Sequence, residues 1–310
     1  MKKSLLLFGL FLLTIASCKT NDDVKPANLA VNKDDKVILV AAAYKTYKVI
    51  AGSTNMPGFT NGNGSKARFN YPIGIWVNPD GSLLVSDRGN NVIRKIKADS
   101  IVTTLNFPKT SNNRTLTQPG NLAVTADGTI GIANGDGIWF YKANNTLTFY
   151  QTNFHETIGT IDADPTGRYF WFTNNYQLGY TAGDDVYEGK KDLGIASDES
   201  LGSVDACPNG KKYVTTYRNI YTLNADGTSS HILASIKFQS LYDLSVNNDG
   251  SIIYVIDNGD IKKITNCSGC LRTISTLATG TKASNLALSN SEQYLYFTSS
   301  VNHTINKLKL

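Results

Sequence analysis

With 310 residues, 41% of them hydrophobic and 18% charged, the chain can bury a large core and is too mixed in composition to be disordered or fibrous. Its formal net charge of +5 is modest, and no lysine and arginine cluster with interleaved aromatics occurs, which argues against a nucleic-acid partner. Lys2 and Lys3 belong to a segment expected to be removed, so +5 overstates the charge of the remainder.

Those two lysines open a short positive region, and Leu5 to Ile15 form an apolar run interrupted only by Gly9 and Thr14. The run is too short to span a bilayer as a stable helix and ends in small residues, as a secretory signal does. Residues Ile15, Ala16, Ser17 and Cys18 resemble the bacterial lipobox. The resemblance implies a lipoprotein signal peptide over 1–17, with Cys18 acylated and the membrane engaged through that lipid. The expected location is the cell envelope, at the outer membrane, on its periplasmic or surface-exposed face. Acylation at Cys18 supplies more than the two signals that stable anchoring needs. Residues 18–35 are polar with one proline and read as a flexible tether. Within them Lys19 to Asp23 either resemble the export signal of surface-displayed lipoproteins or are a solvated part of the tether.

From residue 36 to 310 one unit recurs six times: an apolar strand, a polar turn usually ending in glycine, a second strand, then a loop and a third strand. The first strand and its turn are Ile73–Gly81, Asn121–Gly128, Thr160–Gly167, Ser203–Gly210, Asp243–Gly250 and Asn285–Glu292, the last without its glycine. Asp, Asn or Pro ahead of a glycine able to take positive φ is hairpin chemistry. The following strands, such as Tyr169–Thr173 and Ile252–Ile256, are rich in β-branched and aromatic residues. A period of about 42 residues with several strands per unit predicts an all-β fold, a six-bladed β-propeller. The sixth unit lacks a strand, and Tyr47–Ala51 can supply it, closing the ring and removing a free edge. Lys36–Val40 reads either as a further edge strand or as a hairpin partner.

The first unit carries a family resemblance. Val49–Ser53, Pro57–Gly64, Ala67–Ile75 and Asp80–Ile96 resemble an NHL repeat, whereas the later units keep the strand-turn-strand skeleton alone. The chain thus resembles NHL-repeat lipoproteins of the bacterial cell envelope. In such propellers the strand before the glycine turn is innermost. Its beginning, together with the loop between second and third strands, lies on the face where ligands bind. The resemblance therefore points to a ring at the inner-strand entrances: Gly74, Asn121, Thr160, Ser203, Asp243 and Asn285. The loops add Arg88, Asn90, Asn134, Asp136, Asn174, Asn175, Tyr176, Tyr217, Arg218, Asp257, Asn258, Ser299 and Asn302, and His155 precedes the third blade. Asn, Asp, Arg and Tyr can hydrogen-bond hydroxyls and stack on a sugar face, but they are also ordinary turn residues. Arg88 has a further structural reading, a local pair with Asp87. The Pro57–Gly64 loop reads as structural.

Three enzyme chemistries bear on these residues. NHL-type lyases that finish peptide amidation hold zinc through histidines at the inner-strand entrances. The matching positions here are Ile73, Gly120, Gly159, Gly202, Tyr242 and Ser284, and His155, His231 and His303 fall elsewhere. Gluconolactonase-like propellers hold a divalent cation with Glu, Asn and Asp, and Asp243 with Asn121 and Asn285 could hold calcium that way. No Gly-x-Ser-x-Gly elbow is present, and Ser203 has no evident histidine partner. The resulting expectation is a ligand-binding top face, for a glycan, a peptide or a partner protein, without cofactor or metal. A metal-dependent hydrolase or lyase at the channel mouth and a structural scaffold are the competing readings. Cys267 and Cys270 form a C-x-x-C between strands, which reads as a turn-stapling disulfide in an oxidising compartment, and Cys207 as a small buried hydrophobe. Residues 177–199 break the repeat, either as a recognition loop or as an outer-edge insertion.

Overall fold

Gly81, Gly128, Gly167, Gly210 and Gly250 all take φ between +69° and +84°, the left-handed backbone their turns require. Ahead of them Asp80, Asp127, Asp164, Asn209 and Asp249 each accept the N–H two residues on, at 2.8–3.0 Å. In the sixth turn Glu292 itself adopts φ +55°, and its carboxylate accepts the Asn248 N–H of the preceding blade at 2.8 Å.

These turns pair an inner strand with a second strand in each of six sheets. The computed structural model describes residues 31–32, 37–40, 44–152, 158–175, 177–183, 185–187, 193, 195, 199–224, 228–266 and 272–310. Blade 1 runs outward as Pro72–Val77, Leu83–Asp87, Val92–Ile96 and Ile101–Leu105, with Gly62–Asn63 on its outer edge. Blades 2 to 5 begin with Leu122–Val124, Ile158–Ala163, Leu201–Ala206 and Leu241–Val246, and blade 6 with Asn285–Leu288. Among the described residues the only helical elements are two short 3-10 turns, Gly64–Lys66 and Arg88–Asn90. No helix among the described residues is long and apolar enough to cross a membrane. The architecture is an all-β six-bladed propeller.

Ring closure follows the expected route. Tyr47–Gly52 pairs antiparallel with Thr304–Lys309 as the outer strand of blade 6, with Ala51 opposite Ile305 and Tyr47 opposite Leu308. The ambiguous segment before it plays both roles at once. Val37–Leu39 adds in parallel to Arg272–Ala278 at the edge of blade 5 and also forms a hairpin with Val31–Asn32. Residues 31 and 32 lie in the stretch read as tether. Of the irregular 177–199 stretch, Leu178–Ala182 and Asp185–Tyr187 are the third and outer strands of blade 3. Cys18, Cys267 and Cys270 lie outside the described residues.

The apolar interior is divided among wedges between neighbouring blades. Leu84 and Ile93 meet Ile132 and Trp139 between blades 1 and 2, and Phe140 meets Phe170 between blades 2 and 3. Cys207 is buried in the wedge between blades 4 and 5 beside Ile253 and Ile274. Burial pushes its thiol up to about 11, so it stays protonated and inert. Each blade thus gains its core from the next, and no blade can bury its faces alone.

Blade 1 has an added anchor. Arg94 is fully buried, bonded to Asp87 at 2.7 Å, to the carbonyls of Arg68 and Thr60 at 2.9 Å, and to Asn61 at 2.8 Å. Its guanidinium also lies over the rings of Phe59 and Phe69. This ties down the Pro57–Gly64 loop. It also corrects the reading of Arg88 as the partner of Asp87: that carboxylate is taken by Arg94, Asn90 and the Asn70 N–H, and Arg88 reaches Gln118 instead.

Candidate functional site: the central channel

The inner strands pair on one side only, so alternate N–H groups on the other side face the channel. An N–H there must find an acceptor. Between blades 3 and 6 and on to blade 1, side chains of the preceding inner strand supply it. Thr160 accepts from Val204 N–H at 3.0 Å, Asp243 from Leu286 N–H at 2.7 Å, and Asn285 from Ile75 N–H at 2.9 Å. Two residues deeper, Asp162 accepts from Ala206 N–H at 2.7 Å, Asp205 from Val246 N–H at 2.9 Å, and Ser245 from Leu288 N–H at 3.3 Å. Each donor stands one residue past the repeat equivalent of its acceptor, so the stitch is a consequence of the repeat.

The ring residues also bind one another. The Ser203 hydroxyl donates to Asp243 at 2.5 Å and the Asn285 amide donates to the other Asp243 oxygen at 2.6 Å. Thr160 meets Thr173 at 3.2 Å. Of these residues Asn285 lines two cavities, one at the strand entrances and one at the turns, and Ser203 and Asp243 line the second. At the blade 1–2 junction the stitch is missing because Gly74 has no side chain; a Cβ there would stand 2.6 Å from the Gly120 carbonyl oxygen. Among the described residues the carboxamide of Asn121, next to it, has no hydrogen-bond partner, although Asn121 lines both cavities.

The upper cavity, at the strand entrances, has about 240 Å³. Arg88, Asn121, Asn134, Thr160 and Asn285, all candidates from the sequence, line it together with Gln118, Tyr242 and Ser284, which sequence reasoning missed. Asn134 is fixed by donating to the Thr117 carbonyl at 2.5 Å. Ser284 shares a hydrogen bond with Ser300 at 2.8 Å. Tyr242, 57% exposed, stands where the ladder of blade 5 shifts register between Leu241 and Asp243, and such bulges re-aim side chains. The sequence signal for Tyr242 was its place one residue before the ring, read only as a position lacking histidine.

The lower cavity opens among the glycine turns and has about 350 Å³. Ser203 and Asp243 line it with Asp162 and Asp205, two carboxylates missed in the sequence. Their signal was present: both stand two residues past a ring position, hence on the same side of the strand. Burial pushes the Asp162 and Asp243 carboxyls up to about 7, and burial with the neighbouring Asp162 charge raises Asp205 well above the usual range. Among the described residues no three acidic, histidine or cysteine side chains converge as a metal site would require. Calcium held by Asp243, Asn121 and Asn285 conflicts with the contacts of two of the three, which already bond each other and the backbone.

The remaining candidates lie apart. Asp257 is buried inside blade 5, holding Lys262 and the N–H groups of Gln239 and Ser240. Asn175 and Tyr217 are exposed and offer backbone carbonyls to Leu201 and Leu241, while Arg218 lies over the Tyr217 ring. His231 is in the outer strand of blade 4, and His303 accepts the Tyr71 N–H at 3.1 Å. His155 and Tyr176 lie outside the described residues.

Channel, stitched ring and radial sheets define a six-bladed β-propeller. Its first blade matches the NHL repeat over residues 69–96, so the chain is a propeller carrying an NHL repeat. No curated protein matches the sequence. Similar solved structures include a protein of unknown function from Bacteroides thetaiotaomicron, 17% identical, TM-score 0.65, covering 85% of this chain and 75% of the other. An auxiliary nutrient binding protein from the same organism is 12% identical, TM-score 0.61, covering 85% and 76%. A gluconolactonase from Xanthomonas campestris is 14% identical, TM-score 0.61, covering 78% and 86%. At these identities the likeness is one of fold.

Proposed function

We propose that this chain is a cell-envelope lipoprotein, anchored through Cys18, whose propeller binds a neutral glycan at the upper mouth. One observation carries the reading. Among the described residues Asn121 alone in the polar ring keeps its carboxamide uncommitted, and it lies in a cavity with Arg88 and the exposed Tyr242. A carboxamide and a guanidinium bond sugar hydroxyls, and a tyrosine face packs on the apolar side of a pyranose. The fold is shared with a protein described as nutrient binding, which agrees with this role. The shared gluconolactonase fold supports the competing metal-dependent hydrolase more weakly, because the oxygen ligands that chemistry needs are spent on the stitch.

Calorimetry of the full chain carrying Cys18→Ser against a panel of neutral oligosaccharides tests this. At least one sugar is expected to bind, and Asn121→Ala to weaken it about tenfold, the 1.4 kcal/mol of a lost hydrogen-bonding group. The melting temperature should stay unchanged, since Asn121 holds no protein group. Binding indifferent to Asn121, or stoichiometric calcium surviving dialysis, would sink the proposal.

A further inference from the structure

A third cavity, of about 440 Å³, lies between blades 6 and 1 on the glycine-turn side, away from the upper mouth. Lys48, Lys97, Lys307 and Lys309 line it with Tyr294 and Tyr296, and among the described residues no carboxylate does. Sheet register builds the wall. Tyr296 stands opposite Lys307 and Lys307 opposite Lys48, one row across three strands, and Tyr294 stands opposite Lys309 in the next row of the same face. Lys97 enters from the turn between the third and outer strands of blade 1.

Like charges directly opposite in a sheet repel, so Lys48 facing Lys307 costs stability unless an anion sits between them. The carboxylates of the adjoining turns are turned elsewhere. Asp80 accepts from Ser82 and pairs with Lys95 at 3.7 Å, and Asp99 accepts the Ile101 N–H at 3.2 Å. Lys307 is held instead over the Tyr294 ring, 3.7 Å from its centroid, and 5.5 Å from that of Tyr296. The aromatic rings thus fix an ammonium group in position without neutralising it.

We propose that this cavity binds a phosphate-bearing ligand, its phosphoryl oxygens bridging Lys48 and Lys307, with Lys97 closing from the opposite wall. Lysine is a compact point charge suited to phosphate, and a doubly charged phosphoryl group answers several ammonium groups where one carboxylate answers one. The cavity is within the size range of small-molecule sites, about 300–1,000 Å³. The phosphate monoester can belong to a soluble sugar phosphate or to the headgroup of phosphatidic acid, and both offer the same doubly charged group.

The full chain carrying Cys18→Ser is titrated with glucose 6-phosphate, with glucose as control, and separately cosedimented with vesicles containing phosphatidic acid. At least one phosphate probe is expected to bind, with affinity falling as salt rises. The double variant Lys48→Gln, Lys307→Gln should weaken it at least tenfold while its melting temperature holds or rises, because the repulsion is gone. Loss confined to glucose 6-phosphate assigns the soluble source, and loss confined to vesicles the headgroup. Lys97→Gln, in a turn outside the ladder, repeats the test should the double variant fold poorly. Failure of both phosphate probes to bind, equal binding of glucose, or variants that bind as the parent does would overturn the proposal.

Discussion

Three carboxyl groups crowd the lower channel, and their protonation links this site to the stability of the fold. Unfolded, Asp162 and Asp243 titrate near 3.8; folded, burial holds them at about 7. Between those values the folded chain retains protons that the unfolded chain has lost, so stability rises as pH falls through 7 and levels off near 4. Below that, Asp80 and Asp127 oppose the trend, since hydrogen bonds from Ser82 and Thr129 hold them low in the folded state. The melting temperature is therefore expected to be higher at pH 5 than at pH 8, and Asp205→Asn to flatten the difference by removing one of the mutually repelling charges. A melting temperature independent of pH between 5 and 8 would contradict the assigned crowding. These residues also mark the limit of sequence reading. The ring at the entrances was legible because each member stands at a fixed offset from a turn. That most of its side chains stitch blade to blade was not, because the acceptor and its donor lie 41–44 residues apart, or 210 across the ring closure, and meet only in the closed ring.

At the scale of the strand, legibility followed local chemistry. Glycine turns with an Asp or Asn ahead fix five of the hairpins through neighbours two residues away, and the sixth, with Glu292 in place of glycine, was placed by the period of the repeat. Val37–Leu39 could not be assigned a partner, because three apolar residues carry no record of which edge they join. Its parallel place on blade 5 buries Val37, a gain of about 1.5–3 kcal/mol, whereas Tyr47–Gly52 closes the ring itself. The two segments should therefore respond differently to truncation. Removing residues 1–43 is expected to leave a monomer with one cooperative melting transition. Removing residues 1–52 strips Thr304–Lys309 of its partner, and an open edge is expected to aggregate. Size-exclusion chromatography with thermal melts decides it, and a monomeric 1–52 deletion that melts like the parent would remove the closing role from this strand.

On the scale of the whole propeller, the two mouths of one channel differ in kind. Among the described residues the upper mouth is polar and uncharged apart from Arg88, while the lower is acidic, and Asn285, bonded to Asp243, lines both. Arg88, Asn121, Asn134, Thr160 and Asn285 share the upper cavity, on the face that the NHL-repeat resemblance implied. The sequence could not show that Asp257 turns inward or that Tyr242 lines the upper cavity, since one depends on a contact with half-buried Lys262 and the other on a shift of register. The division of the channel makes the account testable by location. Hydrogen–deuterium exchange of the full chain carrying Cys18→Ser, with and without the tightest-binding neutral oligosaccharide, reads which mouth the ligand occupies. Protection is predicted at the upper mouth, around Gln118 to Asn121, Asn134 and Tyr242. Protection centred instead on the glycine turns around Asp164, Pro208 and Asn248, or none at either mouth, would contradict a glycan site at the strand entrances.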